Sequence, residues 1–161
     1  MRTLYDRYSG YVMAVALRYV PNRDDVQDVV QDSFVKIFTS IAQFSYRGEG
    51  ALRGWMGRIV VNMALDFLRR RRNVSFTDEL PDTPDEPEPD IGGVSDEVLM
   101  RLIGQLPDGY RVVLNMFVFE RLSHKEIAQR LGIKENSSAS QYFHAKKMLG
   151  KLINDYIKRQ Q

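Results

Sequence analysis

The sequence has no cysteine, which excludes disulfide stapling, thiolate nucleophiles and cysteine-ligated zinc. Histidine is nearly as scarce, with only His124 and His144. Neither is accompanied by a nucleophile, a phosphate loop or metal-ligand spacing, so a small hydrolase has no basis in the residues. No catalytic, cofactor-binding or metal-ligating residue is assigned. No apolar run approaches the roughly 18 uncharged residues of a membrane span. Arg2, Asp6, Arg7 and Arg18 interrupt the start of the chain, where a signal peptide needs an unbroken apolar stretch and a small-residue cleavage site. These absences predict a soluble, cytoplasmic protein with no direct membrane insertion.

What is present is a strong charge pattern behind a small formal net charge of +2. Residues 1–73 hold 12 Lys and Arg against 7 Asp and Glu, residues 74–96 hold none against 8, and residues 97–161 hold 11 against 6. Two basic bodies flank an acidic strip. Basic bodies favour a polyanion such as nucleic acid, and the strip is repelled by the same partner. At 161 residues and 43% hydrophobic composition, the chain can fill one ordinary core or two small ones.

Four of the six prolines, Pro81, Pro84, Pro87 and Pro89, lie in the acidic strip, followed by Gly92 and Gly93. Prolines forbid a continuous helix, and the few apolar residues there, Phe76, Leu80 and Ile91, offer little surface to bury. The strip is expected to be a flexible tether. On either side the apolar spacing is helical. Leu4, Tyr8, Val12, Val15 and Tyr19 share one face, as do Val26, Val30, Phe34, Ile37 and Ile41 on a helix from about Asp24. A third helix places Leu52, Trp55, Ile59, Met63 and Phe67 inward. After the strip, Ser95 or Asp96 caps a helix with Val98, Leu99, Leu102 and Ile103 inward, and Pro107 starts the next. The fold class is therefore all-α: two small helical domains, 1–73 and 97–161, joined by a flexible acidic linker, 74–96.

Residues 123–149, SHKEIAQRLGIKENSSASQYFHAKKML, read as a helix-turn-helix. Ser123 and Glu126 make a capping box that specifies where the first helix starts. Ile127, Ala128 and Leu131 are its buried face, and Gly132 supplies the left-handed turn. Ile133 plugs the angle between the helices. Ser138, Tyr142, Ala145 and Leu149 continue one face of the second helix, which contains the recognition segment from Glu135 to about residue 149. That spacing leaves Asn136, Ser137, Ala139, Ser140, Gln141 and His144 at or near the outside, facing a major groove. Lys134, Lys146 and Lys147 are placed for phosphates, and Gln141, Asn136 and the serines for base edges. Two features fit less well: Ser138 is polar where an apolar residue packs better, and Lys134 is a poor N-cap.

In the N-terminal body, Phe44, Tyr46 and Arg47 sit in a glycine-containing loop ahead of Trp55 and Arg58. Aromatics beside arginines hold unstacked bases against a phosphate backbone. Trp55 is assigned to the core, because it lies on the apolar face, while Tyr46 and Arg47 are assigned to nucleic acid. The run Arg69, Arg70, Arg71 and Arg72 ends the third helix and calls for a polyanion or acidic surface. Asp25, Asp28 and Asp32 project together, which repels DNA and suits a basic patch on a protein. Carboxylates on a helix with no histidine nearby indicate a solvated face rather than a metal site.

These segments together resemble the extracytoplasmic-function group of bacterial sigma factors, the small two-domain members of the sigma-70 family. The N-terminal likeness runs through LYDRYSGYVMAVALRYVPNRDDVQDVVQDSFVKIFTSIAQF and YRGEGALRGWMGRIVVNMALDFLRRRR, the C-terminal one through LPDGYRVVLNMFVFERLSHKEIAQRLGIKENSS. Two separate segments match in the right order, on either side of a variable acidic linker. The resemblance implies that the N-terminal helices dock on core RNA polymerase through Asp25, Asp28, Val29 and Asp32. It implies that Phe44, Tyr46, Arg47, Arg58, Asn62, Arg69 and Arg70 engage the minus-ten element, including the melted non-template strand. The helix-turn-helix, through Lys134, Asn136, Ser137, Ala139, Ser140, Gln141, His144 and Lys147, would read double-stranded promoter DNA at the minus-thirty-five element. It further implies an anti-sigma partner, membrane-anchored in some relatives, and no enzymatic activity of the chain itself. One departure stands out. Members of the family often carry Thr-Val-Lys-Ser-Arg on the recognition helix, where residues 137–141 here read SSASQ. Ala139 and Gln141 remove two cations, shifting weight from phosphate attraction to hydrogen bonding and shape.

The residues alone leave two other readings open. One is a conventional helix-turn-helix regulator whose first 73 residues sense a ligand or form a dimer. The other is a protein-interaction module on which the basic surface is incidental.

Overall fold

The computed structural model describes residues 2–76 and 83–161. Leu80 and Pro81 of the acidic strip lie outside the described residues. The chain divides into two compact units, Met1–Asn73 and Val74–Gln161, and the described residues contain seven α-helices.

The first unit packs α1 (Arg2–Tyr19), α2 (Arg23–Ser40) and α3 (Glu49–Arg71) against one another. Asn22 caps α2: its Oδ1 accepts from the amides of Asp24 and Asp25, each at 3.0 Å. Those two carboxylates also face the positive end of the helix dipole. The core stripes of α1 and α2 hold Tyr8, Val12, Val15 and Tyr19 with Val26, Val30, Phe34 and Ile37 buried as their spacing predicts, while Leu4 and Ile41 at the ends are only half-buried and Ile41 falls beyond α2 in a 3-10 turn. Ser33 joins them in full burial, its hydroxyl donating back to the Val29 carbonyl at 2.6 Å.

In α3 the expected inner face is off by one register. Leu52, Trp55, Ile59, Met63 and Phe67 are only half-buried, and the interior belongs to Met56, Val60, Val61, Ala64, Leu65 and Leu68. The reason is that α3 touches α1 and α2 at once. A helix wedged between two others buries two stripes, and the smaller residues take the close crossings. Gly57 marks the closest: a Cβ there would stand 2.6 Å from the Tyr11 hydroxyl. That hydroxyl donates to the Arg53 carbonyl at 3.1 Å, with the Arg53 guanidinium 4.5 Å over the same ring.

In the second unit, α4 (Asp96–Gly104), α5 (Asp108–Val118) and α6 (His124–Leu131) all pack on the long α7 (Glu135–Gln160). Ser95 is the α4 cap, its Oγ accepting from the Val98 amide. Ile103, Leu106, Tyr110, Leu114 and Ala145 form the central cluster, with Leu99, Tyr142, Leu149 and Leu152 closing around it. Burying each such side chain contributes about 1.5–3 kcal/mol. Arg111 is only 2% exposed. Its guanidinium donates to the Leu106 carbonyl at 2.9 Å and pairs with the Asp108 carboxylate.

The acidic strip does not behave as a free tether in its described part. Phe76 and Thr83 are buried, at 5% and 8% exposure, and residues 74–76 and 83–95 belong to the second unit. A single aromatic at the start of the strip finds a socket, which a count of apolar residues does not anticipate. Beyond it, Asp90 closes a short 3-10 helix, Ile91–Gly93, by accepting from the Gly92 amide at 3.0 Å.

Candidate nucleic-acid interface

The helix-turn-helix forms as its sequence specifies. Ser123 Oγ accepts from the Glu126 amide at 3.1 Å, while Glu126 Oε1 accepts from the Ser123 amide at 3.2 Å and from its hydroxyl at 3.0 Å. These bonds hold the Glu126 carboxyl below the usual carboxylate range, the backbone contact first and the hydroxyl second. Gly132 ends α6 in the left-handed region at φ 69°, a conformation a Cβ disfavours. Ile127, Ala128 and Leu131 are buried as expected. Lys134 occupies the α7 N-cap without a side-chain cap bond.

The polar Ser138 has a partner. It is wholly buried, and its Oγ lies 2.9 Å from His124 Nδ1. The His124 ring in turn stacks on Phe117 at 4.6 Å and leans on Tyr142 at 5.8 Å. A serine at this point thus joins α7 to the first residue of α6, which apolar spacing alone could not reveal. Burial of the Tyr142 hydroxyl raises its pKa above the ordinary phenol value.

On the outer side of α7, Asn136, Ala139 and Ser140 are exposed, with Ser137 and Lys147 half-buried beside them. Phe143, 54% exposed, continues the stripe of Asn136, Ala139, Ser140 and Lys147 at spacings of three and four. Sequence reasoning passed over it, although the same spacing was available to find it. Two expected reading residues are placed differently. Gln141 is 4% exposed, and its Nε2 donates to the Phe76 carbonyl. It serves the fold because the start of the acidic strip covers that side of α7. His144 is half-buried, its ring stacked 6.2 Å from Tyr110, rather than projecting to solvent.

In the first unit, the loop of residues 44–48 precedes α3. Phe44 packs on Trp55 at 5.0 Å between ring centroids, and both are half-buried. This pair forms the base of the loop. Tyr46 stands out from it at 70% exposure, with Arg47 exposed alongside. On α3, Arg58, Asn62 and Arg69 are exposed on one face, four and seven residues apart, and Arg70 is exposed next to them. Asp28 and Asp32 on α2 are exposed, four residues apart. Asp25 is half-buried and approaches Arg72 at 4.0 Å, a solvated pair of small energetic weight. Val29 is not a surface residue. It is 1% exposed in the helix core, because it falls on the inner stripe with Val26 and Val30.

Among the described residues no group of histidine and carboxylate side chains could hold a metal ion. No described helix is long and apolar enough to cross a membrane. The first unit thus presents an exposed tyrosine and arginine on a loop, and the second a helix-turn-helix. Residues 4–74 match the family Sigma-70 region 2, and residues 96–149 match Sigma-70, region 4. The ECF RNA polymerase sigma-E factor of Haemophilus influenzae is 32% identical, over 91% of this chain and 83% of its own length. That of Salmonella typhimurium is 29% identical, over 95% and 86%. In fold the chain is similar to the sigma factor RpoE of Bartonella quintana, solved in complex with the anti-sigma factor NepR. That match has a TM-score of 0.59 at 19% identity, covering 95% of this chain and 96% of the other.

The chain belongs to the extracytoplasmic-function sigma factors of the sigma-70 family. It is a promoter-recognising sigma factor of transcription initiation, with core RNA polymerase and promoter DNA as partners, and not a regulator acting without replacing a sigma factor. Sigma factors are not enzymes, and the bond-making chemistry of RNA synthesis is the polymerase's.

Proposed function

We propose that the two units divide promoter recognition between them. The acidic face of α2, with Asp28 and Asp32 exposed and Asp25 at its edge, meets a basic surface of core RNA polymerase. The loop carrying Tyr46 and Arg47 takes up the melted non-template strand at the minus-ten element, supported by Arg58, Asn62, Arg69 and Arg70 on the exposed side of α3. The stripe from Asn136 to Lys147 reads the minus-thirty-five element as duplex.

The observation that carries this reading is Tyr46, an aromatic ring held 70% in solvent at a loop whose base is fixed by Phe44 and Trp55. An unpartnered ring beside a guanidinium is a stacking platform for an extruded base. Promoter melting is then driven by binding, since each base held in this way offsets the cost of unstacking it. The Bartonella complex, a sigma factor with an anti-sigma factor, supports a further element for this chain: an anti-sigma partner, with the control placed in the cytoplasm.

The test is to add the purified chain to sigma-free core polymerase and follow opening of the organism's own promoter DNA by permanganate reactivity of unpaired thymines. Polymerase with the chain should open promoters that polymerase alone leaves closed. Properly folded chain that neither binds core nor opens DNA would overturn the reading.

A further inference from the structure

The described part of the acidic strip meets α7, the helix that carries the proposed duplex-reading stripe, at Phe76 and at residues 84–89. Phe76 is seated in the second unit, with its carbonyl bound by Gln141 of α7. Further on, Asp85 Oδ1 pairs with Lys147 Nζ at 2.9 Å, and the Lys147 side chain is only 19% exposed. Two turns beyond, Asn154 Nδ2 donates to the Pro87 carbonyl at 2.9 Å and reaches Glu86 Oε2 at 3.4 Å. Pro89 lies 3.7 Å from where a Cβ on Gly150 would stand. Residues 84–89 therefore lie against the side of α7 that continues the stripe of Ser140, Phe143 and Lys147 toward the C-terminus.

The chemistry of the contact is that of a nucleic-acid mimic. Asp85, Glu86 and Glu88 bring carboxylates to the flank where Lys146, Lys147 and Lys151 stand, in place of the phosphates a duplex would bring. Pro84, Pro87 and Pro89 pre-extend the backbone, so laying it along a helix costs little ordering entropy. The seat is also shallow. A groove of about 420 Å³ remains between the strip and α7, Asp85 itself is 93% exposed, and exposed ion pairs hold weakly. Such a contact can be displaced.

We propose that residues 84–89 are an intramolecular competitor for duplex DNA, docked on α7 so that the chain binds a duplex poorly until the strip is drawn away. The proposal rests on α7 being the duplex reader, as set out above. It accounts for an acidic strip that carries no Lys or Arg lying beside Phe143 and Lys147, the C-terminal end of the stripe proposed to meet DNA. A partner that takes up the strip raises the fraction of chain able to read DNA, and the apparent affinity rises with that fraction.

The absence of native cysteine permits a direct test in the full chain. Pro89→Cys with Gly150→Cys, joined by a short bis-maleimide, holds the strip on α7. The same protein capped with N-ethylmaleimide is the reference, and a fluorescent duplex carrying the minus-thirty-five sequence is the probe. The cross-linked chain should bind at least about tenfold more weakly than the capped one, since its open fraction is removed. Independently, Asn154→Ala releases the Pro87 and Glu86 contacts without changing any charge. It should tighten duplex binding about threefold, the scale of losing one or two exposed hydrogen bonds. A cross-linked chain that binds like the capped one, or an Asn154→Ala chain of unchanged affinity, overturns the proposal. Ala139→Asp separates this from the underlying reading, because it puts a carboxylate on the exposed stripe away from the strip. If it leaves duplex binding intact, α7 is not the reader and the competitor falls with it. If it weakens binding while the other two changes do nothing, only the competitor falls.

Discussion

In the first unit Tyr46 stands 70% in solvent with Arg47 beside it, whereas in the second Gln141 is 4% exposed and Lys147 is tied to Asp85. Both sets of residues offer the same chemistry, contact with nucleic acid. The loop of the first unit keeps its side chains outward because only its base, the Phe44 and Trp55 pair, is packed. The helix of the second unit has neighbours on several sides, and the acidic strip takes one of them. Polar residues on a helix are therefore available to a ligand only where no other part of the chain has claimed that face.

The comparison is broken most strongly through the cores. Ile127→Ala, at a fully buried position of α6, should destabilise the second unit by about 2–5 kcal/mol. Leu68→Ala should do the same to the first. Near-ultraviolet dichroism during thermal unfolding should show one transition moving and the other staying. If both move together, the two units do not fold as separate cores.

Next in size is the protein contact. Reversing Asp28 and Asp32 to lysine should weaken core polymerase binding by about ten- to a hundredfold, the range for charges at an interface. Duplex binding by the second unit should stay within about twofold, because these carboxylates belong to the other unit and are solvent-exposed, where salt screens them. Equal losses in a core-binding and a duplex-binding titration would contradict the division of surfaces. Tyr46→Ala should cost about 1–3 kcal/mol in promoter opening, the worth of one base stacked on an aromatic ring. Duplex binding in a gel-shift measurement should be untouched. A loss of duplex binding instead would place the tyrosine in the fold rather than at the strand.

The smallest effects concern the capping box. Ser123→Ala should lower the stability of the second unit by about 1 kcal/mol, read from urea midpoints. Glu126 adds a pH dependence of known sign. Its carboxyl is held below the ordinary value of 4.5, so the folded state binds its proton more weakly than the unfolded chain does. The stabilisation is present above the unfolded value and is lost as pH falls through the lower, folded one. Glu126→Gln should flatten the acid limb of the second unit's unfolding curve and leave that of the first unchanged.

Much of this molecule is written locally. The positions of α1, α2 and α6, the Ser95 and Ser123 caps, and the turn at Gly132 all follow from spacing and from residues that satisfy backbone groups a few positions away. The charge pattern separating two basic bodies by an acidic strip is likewise a property of the sequence alone. What spacing could not decide is which face wins when a helix has more than one neighbour. The inner register of α3 depended on both α1 and α2 arriving at it, whereas Val29 lies on the stripe that Val26 and Val30 already mark by their spacing. Ser138 needed His124, fourteen positions away, to be a reasonable core residue. Gln141 was turned from a reading residue into an anchor by the Phe76 carbonyl, sixty-five positions away. Local hydrogen bonds and helical periods are fixed by neighbours in sequence, and so the sequence determined them. Burial of a face is fixed by whatever else the chain brings there, and only the tertiary structure decided that.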